Sequence, residues 1–264
     1  MHTMGAEHIH PTAIIDPQAV LGANCHVGPY AVIGAGVVLG NNCTVGAHAV
    51  LEGPLEMGPN NRIGPHALLG QPPQDLTYAG EPTQLVVGEG NDFREFTTAH
   101  RASTKEDGIT RVGNHGLFMA FSHIAHDDQI GDHVIIGNGT QLAGHVHIHN
   151  QVFISGLCAI HQFVHIGRLA MVAGGSMVDR DVAPFTMVAG DRAQLRGLNS
   201  RGLQRAGIPT EHRRALRQAY QRLFRDGGTL NAAVDAVATD PNLQTTEINV
   251  LLDFIRHRGR GITR

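Results

Sequence analysis

The chain has 264 residues, 42% of them hydrophobic, and a formal net charge of −3, which is enough to bury a core and gives no reason to expect a nucleic-acid partner. Thirty-three glycines, 18 histidines, 5% aromatics and no tryptophan exclude an ordinary helical or sandwich core and suit a backbone that turns often over small aliphatics. Charge is unevenly spread: residues 191–264 hold 13 Arg against 7 acidic residues, leaving −9 for residues 1–190, so two parts with different roles are expected.

In chain order, the opening stretch "MHTMGAEHIH" has neither the basic nor the apolar region of a secretory signal. No run reaches the roughly 18 apolar residues of a spanning helix. A soluble, cytoplasmic protein without stable membrane insertion is the expectation. Cys25, Cys43 and Cys158 have neither metal-ligand nor secreted-scaffold spacing, so they read as buried and reduced.

From Ile9 an aliphatic stands at every sixth position, through Ile15, Leu21, Val27, Ile33, Leu39, Val45, Leu51, Met57 and Ile63 to Leu69. A second run in its own register goes from Val112 and Phe118 to Val172 and Val178. Glycine often follows the aliphatic, and a small or β-branched residue recurs four places after it, as at Cys25, Ala31 and Cys43. A period of six fits neither helix nor alternating strand. It is the hexapeptide pattern of a parallel β-helix, in which the aliphatic points inward and the small residue fits the corner. Three hexapeptides make one triangular coil in that pattern, so residues 18 apart stack about 4.8 Å apart.

Two segments break the pattern. Residues 71–84, "QPPQDLTYAGEPTQ", keep the count but carry Asp75 and Glu81 where aliphatics belong, and residues 101–111, "RASTKEDGITR", shift the phase. Insertions in a solenoid lie on the surface and often carry function. The period ends after "VAPF". Leu216, Tyr220, Leu223 and Phe224 then follow helical spacing between Pro209-Thr210 and Gly227-Gly228, a start and a stop signal. Leu230, Val234 and Val237 predict a second helix ended by Asp240-Pro241, and Ile248, Leu251, Leu252 and Ile255 a third. Two domains are expected, 1–190 a β-helix and 191–264 helical.

Within the second run lies "HIAHDDQIGDHVIIGNGTQLAGH", residues 123–145. Gly144 is one coil beyond His126, so its backbone is expected directly alongside. A glycine amide has no side chain in front of it, as an oxyanion site needs, and a neighbouring histidine can take a proton from a hydroxyl. Asp127 or a backbone carbonyl would hold the imidazole tautomer. With 18 histidines in the chain, most are surface residues, and His123, His145 and His161 are further candidates. A zinc site remains open on histidine content, because one trimeric class of carbonic anhydrase uses this fold with three histidines at subunit junctions. Ranks of threonine on one face, the mark of an ice-binding solenoid, are missing.

These motifs carry a family resemblance. "HIAHD" with "LAGH" downstream, "AIHQF" at 159–163, "QDLTYAGEPT" at 74–83, "NSRGLQRAG" at 199–207 and the terminal "RG" closely resemble the UDP-N-acetylglucosamine 3-O-acyltransferases, the acyl-carrier-protein-dependent enzymes that open lipid A biosynthesis. The likeness runs from "HPTAIIDP" through the helical tail. It implies a left-handed parallel β-helix with a C-terminal helical domain, a homotrimer with active sites between prisms, and transfer of an (R)-3-hydroxyacyl chain from acyl carrier protein to the 3-hydroxyl of a UDP-amino sugar. No metal or bound cofactor is implied, the acyl group arriving on the carrier's phosphopantetheine.

By the same resemblance His126 matches the general base, Asp127 the residue that orients it, and Gly144 the amide that polarises the thioester carbonyl. His123, His145, His161 and Gln162 match the lining of the sugar and acyl pocket. Gln74 and Asp75, in the loop with Thr77, match residues reaching donor or sugar from a neighbouring subunit. Gly174 falls near a chain-length ruler and hints at a longer acyl chain, and Asn199 and Arg205 match the nucleotide end. The basic helix carrying Arg213, Arg214, Arg217, Arg222 and Arg225 would steer the acidic carrier protein.

Three departures stand out. Thr77 replaces a common lysine, Arg201 stands at a place usually acidic, and Arg192 replaces a frequent histidine. Substrate recognition is therefore less determined than the reaction, and the 3-amine of a UDP-2,3-diaminosugar is an alternative acceptor. The later N-acyltransferase of the pathway carries an additional uridine-binding domain, whereas here hexapeptides begin by residue 9. Acetyl-CoA-dependent acetyltransferases usually lack the long helical tail and the "AIHQF" set.

Overall fold

The computed structural model describes residues 8–257 and 259–264; the expectations for residues 1–7 fall outside them. Strands of two to five residues form three sheets of eleven, nine and eight strands. The chain visits a first, second and third face in turn, building a left-handed parallel β-helix. Regular coils pair residues 18 apart, as His8 with His26 and Val32 with Val50.

Both runs of aliphatics point inward. Val27, Ile33, Leu39 and the second run from Val112 to Val178 are buried in one continuous core. The corners need a backbone turn that L-residues take reluctantly: Asn24, Tyr30, Asn42, His48, Asn60 and His66 have φ between 57° and 61°, the left-handed region. Side-chain ladders offset that cost. Asn24, Asn42 and Asn60 are hydrogen-bonded in series, and Tyr30, His48, His66, Phe96 and Phe121 stack ring on ring with centroids 4.8 to 5.1 Å apart.

The two breaks are excursions at one corner. Arg62 pairs with Asp92, 30 residues on, and Asp92 with Leu117, 25 residues on. The first insertion therefore adds twelve residues, a multiple of six that keeps the count while leaving Asp75 and Glu81 outside the prism. The second adds seven and so shifts the phase. Both leave the second face and return on the third.

Beyond the regular coils, Thr186–Ala189 and Gln194–Leu198 pair antiparallel, so the expected boundary at 190/191 falls in the connection of a hairpin. Four helices follow: α1 (Ser200–Arg205), α2 (Thr210–Phe224), α3 (Leu230–Thr239) and α4 (Thr246–Arg256). The last three match the sequence signals; α1 is additional, started by the Asn199 side chain accepting from Gly202 N–H. Their apolar faces form a second core with Leu169, Ala183 and Phe185. No described helix is long and apolar enough to cross a membrane.

Cys25, Cys43 and Cys158 are all buried and unbridged, and burial pushes the Cys43 thiol up. All three thiols should react with a thiol reagent in denaturant and none in the native protein over the same interval; rapid native labelling would contradict this packing.

Candidate active site

The corner between the second and third faces collects the chemistry. The turn 125–128, between His123–Ile124 and Gln129–Ile130, carries His126 and Asp127, and the turn 143–146 carries Gly144 and His145 one coil along. The two turns are fastened by His145 N–H donating to the His126 carbonyl at 3.1 Å. An alanine Cβ at 144 would lie 2.5 Å from His126 Cε1, so the imidazole lies directly against the glycine and excludes any side chain there.

His126 Nδ1 is 2.7 Å from Asp127 Oδ2. Asp127, 1% exposed at its side chain, also accepts from Ser103 Oγ at 2.7 Å and Ser103 N–H at 3.1 Å. Burial pushes the Asp127 carboxyl up, and the hydrogen bonds from His126 and Ser103 outweigh it and leave the carboxyl below its ordinary range. A proton shared on Nδ1 leaves Nε2 of His126 as the basic nitrogen. His145 stands edge-on to His126, with centroids 5.3 Å apart, and stacks on Phe163 at 4.5 Å. Its Nδ1 meets Glu106 at 2.7 Å and its Nε2 lies 3.6 Å from Asp127. Beneath them Asp128 is fully buried and accepts from Ala125 and Val146 N–H; burial raises its carboxyl well above the usual range.

On the outside of the second face, His123 Nδ1 meets Thr98 Oγ at 2.7 Å, and His100 packs edge-on against His123. Burial first, and then the neighbouring histidines, lower both to about 4, so both are neutral near pH 7. Asp75 joins the corner from the first insertion, with Thr77 N–H and Oγ–H donating to its Oδ1 at 2.9 and 2.8 Å. Gln74 and Thr77 are exposed beside it. His161 and Gln162 occupy the same corner one coil beyond Gly144 and are exposed.

Other candidates lie elsewhere within one chain. Gly174 is exposed at the corner between the first and second faces. Asn199 is held by Leu169 O at the corner between the third and first faces, and Arg205 is exposed at the end of α1. In α2, Arg222 is paired with Asp240 at 2.7 Å, Arg225 lies on Tyr220, and Arg213 donates to Thr210, which leaves Arg214 and Arg217 as the two of the five that are exposed and, among the described residues, without such a side-chain partner. Arg192 pairs with Asp179 at 2.6 Å, and Arg201 is exposed. Ser103, Lys105 and Glu106, all from the second insertion, and Thr110 of the strand Ile109–Val112, which accepts from Asp127 N–H at 2.8 Å, escaped sequence reasoning; the only signal of this segment was the break in period.

The donor atoms of His126, Asp127 and His145 lie within 4.8 Å of one another, so zinc must be weighed. The Asp127 carboxylate already accepts from His126 and Ser103, and His145 is bound to Glu106. This donor set is committed to hydrogen bonds and is not the three-histidine site expected of a carbonic anhydrase-like protein.

A family model described as UDP N-acetylglucosamine O-acyltransferase, domain 2, matches residues 181–263, and bacterial transferase hexapeptide repeats match residues 8–41 and 36–71. A curated acyl-[acyl-carrier-protein]–UDP-N-acetylglucosamine O-acyltransferase from Halorhodospira halophila is 43% identical, covering 97% of this chain and 99% of the relative. The chain belongs to the UDP-N-acetylglucosamine O-acyltransferase family. Another member, from Anaeromyxobacter sp. strain K, is 46% identical with the same coverage of both chains. The solved UDP-N-acetylglucosamine acyltransferase of Bacteroides fragilis superposes with TM-score 0.93 at 34% identity, covering 97% of this chain and 100% of that one. The Campylobacter jejuni enzyme gives 0.92 at 33% identity, over 97% and 98%.

Two outcomes follow for this acyltransferase. Gly144→Ala keeps the backbone N–H but its methyl displaces His126, so under the general-base role proposed below kcat should fall about 100-fold or more; near-normal kcat would refute the contact. For His100 the folded state binds fewer protons than the unfolded one between about 4 and the model-peptide value near 6.5. Stability should therefore fall as pH drops through that window, and denaturant midpoints of His100→Gln should vary less with pH across it.

Proposed function

We propose that this acyltransferase moves an (R)-3-hydroxyacyl chain from the phosphopantetheine thiol of acyl carrier protein to the 3-hydroxyl of UDP-N-acetylglucosamine, the first step of lipid A biosynthesis, with no further cofactor. One observation carries the reading: the His126 imidazole lies against the Gly144 backbone with its Nδ1 on the buried Asp127 carboxylate.

His126 Nε2 removes the proton from the sugar hydroxyl as that oxygen attacks the thioester carbonyl. The Gly144 N–H takes up the charge that develops on the carbonyl oxygen, and Asp127 stabilises the imidazolium. Collapse of the tetrahedral intermediate breaks the C–S bond, and the imidazolium returns its proton to the departing thiolate. The sugar oxygen attacks directly, so no acyl-enzyme forms.

His123, His145, His161 and Gln162 line the sugar and acyl pocket in this reading. Gln74, Asp75 and Thr77 reach the substrates from the first insertion, and Gly174 bounds the acyl chain at the far edge of the second face. Asn199 and Arg205 serve the nucleotide end. Because Asn199 and Arg205 lie away from the His126 corner in one chain, the site is completed by another copy in a homotrimer. An outward apolar stripe on the first face supports that assembly: Leu117, Ile135, Phe153, Met171 and Met187 are paired in register, a patch of the kind that marks an interface. Arg214 and Arg217 attract the acidic carrier. Residues 1–190 thus carry the chemistry and residues 191–264 the docking, in the cytoplasm.

The decisive experiment supplies purified protein with hydroxyacyl carrier proteins of several chain lengths against UDP-N-acetylglucosamine and its 3-amino analogue. Ester formation at the hydroxyl is expected, and amide formed only with the amine would transfer the mechanism to the other acceptor. His126→Ala should abolish product while the trimer persists in sedimentation; full activity would remove His126 from the mechanism. Arg214→Glu with Arg217→Glu should lower kcat/KM for the carrier about tenfold or more at low salt and less at high salt, whereas a salt-independent defect would argue against steering.

A further inference from the structure

The sequence marks residues 101–111 only as an irregular insertion, yet three of them touch the candidate site in succession. Ser103 donates to Asp127, Glu106 accepts from His145, and between them the Lys105 ammonium stands 2.6 Å from Asp75 Oδ2. Lys105 is the only lysine in the chain. Its side chain is 51% exposed while that of Asp75 is 9% exposed, so the carboxylate is the anchor and the ammonium the outward end.

Asp75 is well fixed for that purpose. Lys105 and the two Thr77 donors hold its carboxyl far below the usual carboxylate range. The other cations of this segment are committed elsewhere: Arg101 is buried with its guanidinium on Gly53 O, and Arg111 is paired with Asp107 at 2.6 Å. An ammonium offers three N–H donors, so Lys105 can hold Asp75 and take a second anion. Both substrates of the proposed reaction bring one, a diphosphate on the nucleotide sugar and a phosphodiester in the phosphopantetheine arm.

We propose that Lys105 is a substrate-binding residue that engages a phosphate-ester anion at this corner, supplying from the second insertion the ammonium that Thr77 does not supply from the first. The inference rests on the acyl-transfer reading above. A compact ammonium suits this task, since lysine binds phosphate as a point charge.

Calorimetric binding of UDP-N-acetylglucosamine to the intact protein, together with KM for each substrate, tests it in wild type, Lys105→Gln, and Lys105→Gln combined with Thr77→Lys. The single variant should weaken one of these by about tenfold, the scale of one charge-assisted hydrogen bond, with kcat changing less. Weakened nucleotide-sugar binding would assign the anion to the diphosphate; a raised KM for the acyl carrier alone would assign it to the phosphodiester. Thr77→Lys should recover most of the loss by returning an ammonium to Asp75. A loss that it leaves unrepaired would reflect loop packing and overturn the proposal, as would unchanged values for both substrates. Wild-type protein that binds no UDP-N-acetylglucosamine would instead refute the acyl-transfer reading.

Discussion

Everything at the candidate site depends on the backbone ladder that pairs each coil with the next. Parallel pairing at fixed register makes residues 18 apart neighbours, as Gln129 with His147 and His147 with His165. A slip by one residue would turn every inward aliphatic outward, so the aliphatic core enforces the register that sets His126 against Gly144. The imidazole and the amide are thereby prepositioned by the same hydrogen bonds that hold the prism together, without a mobile loop between them.

That ladder also accounts for the histidine content. His8 and His26, His48 and His66, His115 and His133, and His147 and His165 are stacked pairs one coil apart. Eight of the 18 histidines are thus rungs of the solenoid, which supply flat rings where the coils expose their edges. His126 and His145 differ because they are edge-on to each other and bound to carboxylates. His126 is held through its Nδ1, and His145 both by its stack on Phe163 and through its nitrogens.

Burying a carboxylate is costly unless its oxygens are occupied. Asp127 meets that condition through Ser103 and His126, whereas at Asp128 burial outweighs two backbone amide donors and pushes the carboxyl up. Ser103 belongs to the second insertion, so the seven added residues complete the environment that keeps Asp127 charged. Glu106, from the same insertion, fixes the His145 ring through its Nδ1. The insertion is therefore a structural part of the site.

The six-residue period, the inward aliphatics, the three long helices and the His126–Gly144 neighbourhood were all legible in the chain, because each follows from a spacing that repeats or from local start and stop signals. The contacts of Ser103, Lys105 and Glu106 were not legible, since they join residues 24, 30 and 39 positions apart from loops that obey no period. The same holds for α2, where spacing marked five arginines alike but contacts with Asp240, Tyr220 and Thr210 engaged three and left Arg214 and Arg217 without such a partner among the described residues. Periodicity encodes which residues share a face or an edge; which side chains meet across irregular loops is decided only when the folded prism brings those loops to one corner.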